Sequence, residues 1–126
     1  MSLRPLLTIS GALEILMGVL ALISPATVVI MLLGGPVDQI TLVLTRLFAA
    51  GVFALGLACL KVRDHAGTPA GLAVSIGITS YNVLAGVVIV WAAAGLSLGG
   101  ILLWGTGAAH AVLGGFFIIA LAGLSR

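Results

Sequence analysis

Apolar residues run along this chain in four long blocks, Leu6 to Ser24, Ile40 to Leu60, Pro69 to Ala93 and Gly100 to Leu124. Each block reaches the twenty or so residues that a helix rising ~1.5 Å per residue needs to cross ~30 Å of hydrocarbon. The polar punctuation between them has turn chemistry: Gly34-Gly35-Pro36-Val37-Asp38, then Lys61-Val62-Arg63-Asp64-His65-Ala66-Gly67, then Gly95 to Gly100. The pattern therefore predicts an all-α protein, an antiparallel four-helix transmembrane bundle formed as a single domain over residues 1–126, with spans at 6–24, 40–60, 69–93 and 100–124. Ser24-Pro25 offers an N-cap followed by a first-turn proline. A short second helix is expected over 26–33, and being too short to span it is expected to lie along the outer membrane interface.

Composition removes the soluble alternatives. Only 6% of the 126 residues are charged while 62% are hydrophobic, and the mean hydropathy is +1.40. A soluble domain covers its exterior with roughly a quarter of charged residues, so this exterior faces lipid, and the bilayer is the first expected partner. A net charge of +2 and a pI near 9.3 do not indicate nucleic acid, because five scattered basic residues cannot form a stripe that tracks phosphates. The basic excess carries topology instead. With four spans, Arg4, Lys61, Arg63 and Arg126 fall on one side and Asp38 on the other. The positive-inside rule then expects a multi-pass protein of the cytoplasmic (inner) membrane with both termini in the cytoplasm. Trp91 and Trp104 flank the third break on the opposite side, where indoles favour the wet edge of the apolar slab. The single Arg ahead of the first block imitates a signal peptide, but the apolar run continues through Leu22-Ile23-Ser24-Pro25 with three more spans behind it, so an uncleaved span is expected. Cys59 is the only cysteine, which rules out an intrachain disulfide and a CxxC site and leaves it as a packing residue.

The many glycines are spread through the helices rather than gathered into linkers. No water is released when helices meet in lipid, so small residues four apart supply close backbone approach. Three such ladders are expected to pack the bundle: Ala50, Ala54 and Ala58; Gly71, Ser75 and Thr79; Gly107, Ala111 and Gly115.

Each span also holds one strongly polar position: Glu14, Arg46, Asn82 beside Tyr81, and His110. An ionised group at mid-bilayer is costly, so these residues are expected to face inward and to find partners. Small and polar residues three, four and seven positions away share their faces. Counting ~1.5 Å per residue leaves a vertical gap of roughly 9 Å between Glu14 and Arg46, which two long side chains can close. The expectation is a Glu14–Arg46 ion pair inside one buried cluster with Tyr81, Asn82 and His110. That cluster either fixes helix register or handles protons or a small ligand. One histidine in the spans is too few ligands for a haem or metal site, and no cofactor is named by the sequence. No Walker loop, nucleophile elbow, HExxH or in-span carboxylate pair is present, so nothing specifies an enzyme.

Gly11-Ala12-Leu13-Glu14 through Ser24-Pro25, then Thr45-Arg46-Leu47-Phe48-Ala49-Ala50-Gly51 with Ala54-Leu55-Gly56-Leu57, then Tyr81-Asn82-Val83-Leu84-Ala85, resemble small four-helix bacterial membrane proteins of the DoxX-like and related uncharacterised families. The resemblance implies the four-helix fold and little about activity, since those families mostly lack an assigned one and only some members are linked to redox complexes. Three functions stay open. One is a non-catalytic accessory or scaffold subunit, self-associating as a homo-oligomer or docked on partner subunits of a larger membrane complex. Another is a small proton-linked transporter using Glu14, Arg46 and His110. The third is a membrane enzyme or lipid-pocket protein, which requires a cavity beside Tyr81, Asn82 and His110.

Overall fold

A computed structural model describes residues 2–125 of the chain. Five α-helices follow one another: α1 Leu3–Ile23, α2 Pro25–Leu33, α3 Gln39–Val62, α4 Pro69–Gly95 and α5 Leu103–Ala122, with short 3-10 turns at Arg63–His65 and Gly123–Ser125. There is no strand among the described residues. Four of the helices, α1, α3 with its following turn, α4 and α5, are long and apolar enough to cross a membrane, which makes this a multi-pass helical membrane protein.

Local chemistry sets the helix ends. Ser24 leaves the helical region (φ −132°, ψ 66°) because the residue before a proline clashes with its ring there, and Pro25 then opens α2 at a position whose N–H would have had no partner. Gly34 closes α2 in the left-handed conformation (φ 69°), its N–H bonded to the Ile30 carbonyl at 2.9 Å. Asp38 caps α3 by accepting from the Thr41 N–H at 2.7 Å, and Thr68 caps α4 by accepting from the Gly71 N–H at 3.2 Å. The Asp38 carboxyl is held below its ordinary pKa by Thr41, first through its side-chain hydroxyl and then through that N–H, both of which favour the charged form.

The helices pair unevenly. α1 packs mainly on α3, α4 packs mainly on α5, and the two pairs meet more lightly. α1 is the most enclosed of the four spans. The core shared by all four lies at the end that carries Arg4, Lys61 and Arg63, where Leu3, Leu6 and Leu7 meet Cys59, Ile78, Phe117 and Ala120. At the same end Asp64 receives Arg4 Nε at 2.7 Å and faces Arg63 Nε at 3.6 Å, joining the start of α1 to the turn after α3. At the opposite end the connection before α5 is laced to α2: Gly99 N–H donates to the Leu33 carbonyl at 3.1 Å, and Leu102 N–H to the Met31 carbonyl at 2.9 Å. Gly100 lies against the backbone of Met31 and Leu32 with no room for a side chain.

The ladders expected to pack the bundle are only partly used. Gly71 and Ser75 are buried, but Ala50 and Ala54 on α3 are exposed, and so is Ala111 on α5. The α1–α3 crossing instead runs through Gly11, Gly18 and Gly56. A side chain at Gly56 would come within 2.8 Å of the Gly11 carbonyl oxygen, and one at Gly18 within 2.9 Å of the Phe53 backbone. α3 has thus turned its predicted Ala face to the lipid and its glycine to α1, because α1 supplies glycines of its own and two facing glycines allow the closest backbone approach. In the α4–α5 pair, Gly107 seats against Ile89 and Gly114 against Asn82 and Val83. Arg126, the last of the cations used for orientation, lies outside the described residues.

Candidate functional site

Four of the five polar positions singled out in the sequence are brought together, and the fifth is not. Glu14 on α1 is 5% exposed and Asn82 on α4 is fully buried. Tyr81 on α4 lies beside the Glu14 carboxyl, bringing the α4–α5 pair to the α1–α3 pair across their light contact. The Tyr81 ring then stands edge-on to His110 of α5, with centroids 5.4 Å apart at 82°, and is flanked by Phe48 of α3 at 6.4 Å. His110 Nδ1 lies 2.9 Å from Asn82 Oδ1, and Asn82 Nδ2 donates to the Ile78 carbonyl at 2.8 Å. A polar chain Glu14, Tyr81, His110, Asn82 therefore crosses the interior from α1 to α5.

Arg46 departs from expectation. It is exposed, no ion pair with Glu14 occurs among the described residues, and its Nε donates instead to the Leu22 carbonyl at 3.4 Å. Leu22 is eight residues beyond Glu14 on α1, so the two charges sit about 12 Å apart along the helix axis. The physical reason is a difference in helix length: α3 runs past the outer end of α1, and α2 occupies the layer beside that overhang, touching α1, α3 and α5. A depth count that ends both helices at one plane misses this layer. Where it does sit, Arg46 meets one of the last carbonyls of α1, which have no intrahelical donor, and its positive charge complements the negative end of the helix dipole.

Beside the polar chain, a laterally open groove of about 460 Å³ runs between α4 and α5. Asn82 and His110 supply its polar surface, Gly107 and Gly114 its floor, and Val87 and Ile118 part of its apolar walls. The glycines make the groove: a side chain at Gly86 would meet only the His110 Cβ, at 3.8 Å, and Gly115 has nothing within 4 Å. Its volume lies toward the small end of the range for small-molecule sites. Tyr81 lies behind the groove rather than in its wall.

Ser10, one turn before Glu14 and on the face expected to turn inward, is buried, and its Oγ is the one buried side-chain oxygen or nitrogen without a hydrogen-bond partner among the described residues. One polar feature escaped sequence reasoning. The Arg4, Asp64, Arg63 cluster joins residues sixty positions apart, and no local pattern signals it. Among the described residues no three His, Cys, Asp or Glu side chains converge as metal ligands would.

Comparison with protein-family models, with characterised proteins and with solved structures finds no match for this chain.

Proposed function

We propose that this protein is a non-catalytic membrane-embedded binding protein that holds an apolar molecule in the lateral groove between α4 and α5. The observation that carries this reading is the groove itself, open toward the lipid, floored by glycines and bearing one polar pair, Asn82 and His110. The loops are too short to host a water-exposed active site. The DoxX-like resemblance is compatible with the fold and adds no activity. The proton-linked carrier needs Glu14, Arg46 and His110 together, and the position of Arg46 against Leu22 lends it less support. In this reading the protein lies in a bacterial cytoplasmic membrane with both termini inside, supported by Arg4, Lys61 and Arg63 at one end of the bundle and Asp38 at the other.

The test is photolabelling in native membranes with an alkyl chain carrying a diazirine. Adducts concentrated on residues 83–90 and 107–118 are the expected outcome. Adducts spread evenly over lipid-facing positions such as Ile9, Leu44 and Leu47 overturn the reading.

A second reading, the accessory subunit in a homo-oligomer or a larger complex, is favoured by one observation. Ala50 and Ala54 stay exposed on α3, and Gly51 has open space around it, so a small-residue face suited to helix contact is left unused within the chain. Native mass spectrometry from mild membrane extracts separates the two: a bare chain retaining a small molecule supports the first, and co-purifying subunits support the second.

A further inference from the structure

The hydrogen bonds around Asn82 decide which nitrogen of His110 carries its proton. The Ile78 carbonyl oxygen can only accept, so the Asn82 atom facing it at 2.8 Å must be the amide nitrogen. The amide oxygen is then the atom facing His110 Nδ1 at 2.9 Å, and an amide oxygen can only accept. The proton of the neutral ring is therefore on Nδ1, and Nε2 is a bare acceptor. No flip of the amide escapes this, because a flipped oxygen would be set against the Ile78 oxygen.

Nε2 has no partner among the described residues. Among the described residues the only hydrogen bond of His110 is the one through Nδ1, and its ring also lies edge-on to Tyr81. Yet Nε2 is not among the buried unpartnered atoms, of which Ser10 Oγ is the sole case among the described residues, so Nε2 keeps open surface. His110 lines the groove, and no acidic side chain lies within 4 Å of it among the described residues. His110 thus brings an unfilled acceptor to a groove whose lining is otherwise, Asn82 apart, apolar.

The surrounding solvent turns this into selectivity. For an alkane such a groove offers only the fit of its shape, because acyl chains are as apolar as valine. A molecule with one hydroxyl differs: at the depth of the groove its O–H is cut off from the acceptors of water and headgroups, and His110 offers it another. We infer that the groove selects apolar molecules bearing a single hydrogen-bond donor, a long-chain alcohol being the simplest, with the O–H donated to His110 Nε2 and the body lying along Val83, Val87 and Val90. The wall on α4 from Asn82 to Val90 spans about 12 Å, so the matching body is a chain or ring system of that length and not a whole phospholipid. This inference rests on the reading of the groove as a ligand site.

The experiment uses the intact protein in phosphatidylcholine nanodiscs with 15N-labelled histidine, the two histidines being told apart with His65→Gln. 1-Dodecanol and its methyl ether are titrated separately. The alcohol is expected to move the His110 Nε2 resonance saturably, with about tenfold tighter apparent binding than the ether, the size of one hydrogen bond made inside a bilayer. Asn82→Leu, which frees the tautomer, is expected to erase that preference. Equal responses to alcohol and ether would overturn the donor selectivity while leaving the groove a binding site. No saturable response to either would overturn both.

Discussion

The glycine crossing of α1 and α3 gives the sharpest test of how the helices pack. Gly56 and Gly51 are five residues apart on α3, and replacing either by Ala changes helix propensity in the same direction, a gain of up to ~1 kcal/mol. Their surroundings are opposite. A Cβ at Gly51 meets nothing within 4 Å, whereas at Gly56 it comes to 2.8 Å from the Gly11 carbonyl oxygen and 2.9 Å from the Ile15 backbone nitrogen. Backbone atoms cannot rotate away, so α1 and α3 must separate by about 0.6 Å to restore an ordinary contact of ~3.4 Å. A gap of that size forfeits about a quarter of each van der Waals contact. For a crossing with about fifty atom contacts of ~0.15 kcal/mol, the loss is ~2 kcal/mol, in line with overpacked sites elsewhere. Gly51→Ala is therefore expected to be neutral or stabilising, and Gly56→Ala to fall about 2 kcal/mol below it. Reversible unfolding in mixed micelles, followed by circular dichroism against the mole fraction of dodecyl sulfate, reads both on one scale. A difference under ~0.5 kcal/mol would refute close backbone contact at the Gly11–Gly56 crossing.

Two further outcomes follow from the polar residues. The double-mutant cycle of Glu14→Gln and Arg46→Gln is expected to be additive within ~0.5 kcal/mol in the same unfolding assay, because the two groups lie too far apart to couple; a larger interaction energy would restore the ion pair. Asp38 has a folded pKa below its ordinary value, so its contribution is fully present above the unfolded carboxylate value near 3.9 and is lost as pH falls through the lower folded value. Asp38→Asn keeps a good N-cap but cannot titrate, and it is expected to flatten the acid side of the stability profile below about pH 5. An unchanged acid limb in that variant would contradict the role given to the cap.

What the sequence makes legible here is what depends on solvent and on near neighbours. The four spans follow from hydropathy because lipid imposes it along the whole helix, and α2 follows from the conformational restriction that Pro25 places on Ser24. The boundaries move by a few residues where capping rather than hydropathy decides: α1 begins at Leu3, and α5 begins at Leu103 once Gly99 and Gly100 are committed to α2. The inward faces of Glu14 and Asn82 were readable from the small residues three and four positions away. Two quantities were not readable, and for one reason. The rotation of α3, which exposes Ala50 and Ala54 and buries Gly56, and its axial offset, which carries Arg46 past Glu14 to Leu22, are both set by a partner helix. A small-residue ladder marks a face able to pack without stating that it does, and a residue count marks depth only if both helices end at one plane. The polar chain tolerates these errors because three of its members, Tyr81, Asn82 and His110, belong to the α4–α5 pair, and only Glu14 must reach them from across the bundle. The groove is legible in the same sense. Gly107 and Gly114 on α5 share a face with His110 whatever α3 does, so the apolar floor and its single polar pair are properties of one helical pair rather than of the whole assembly.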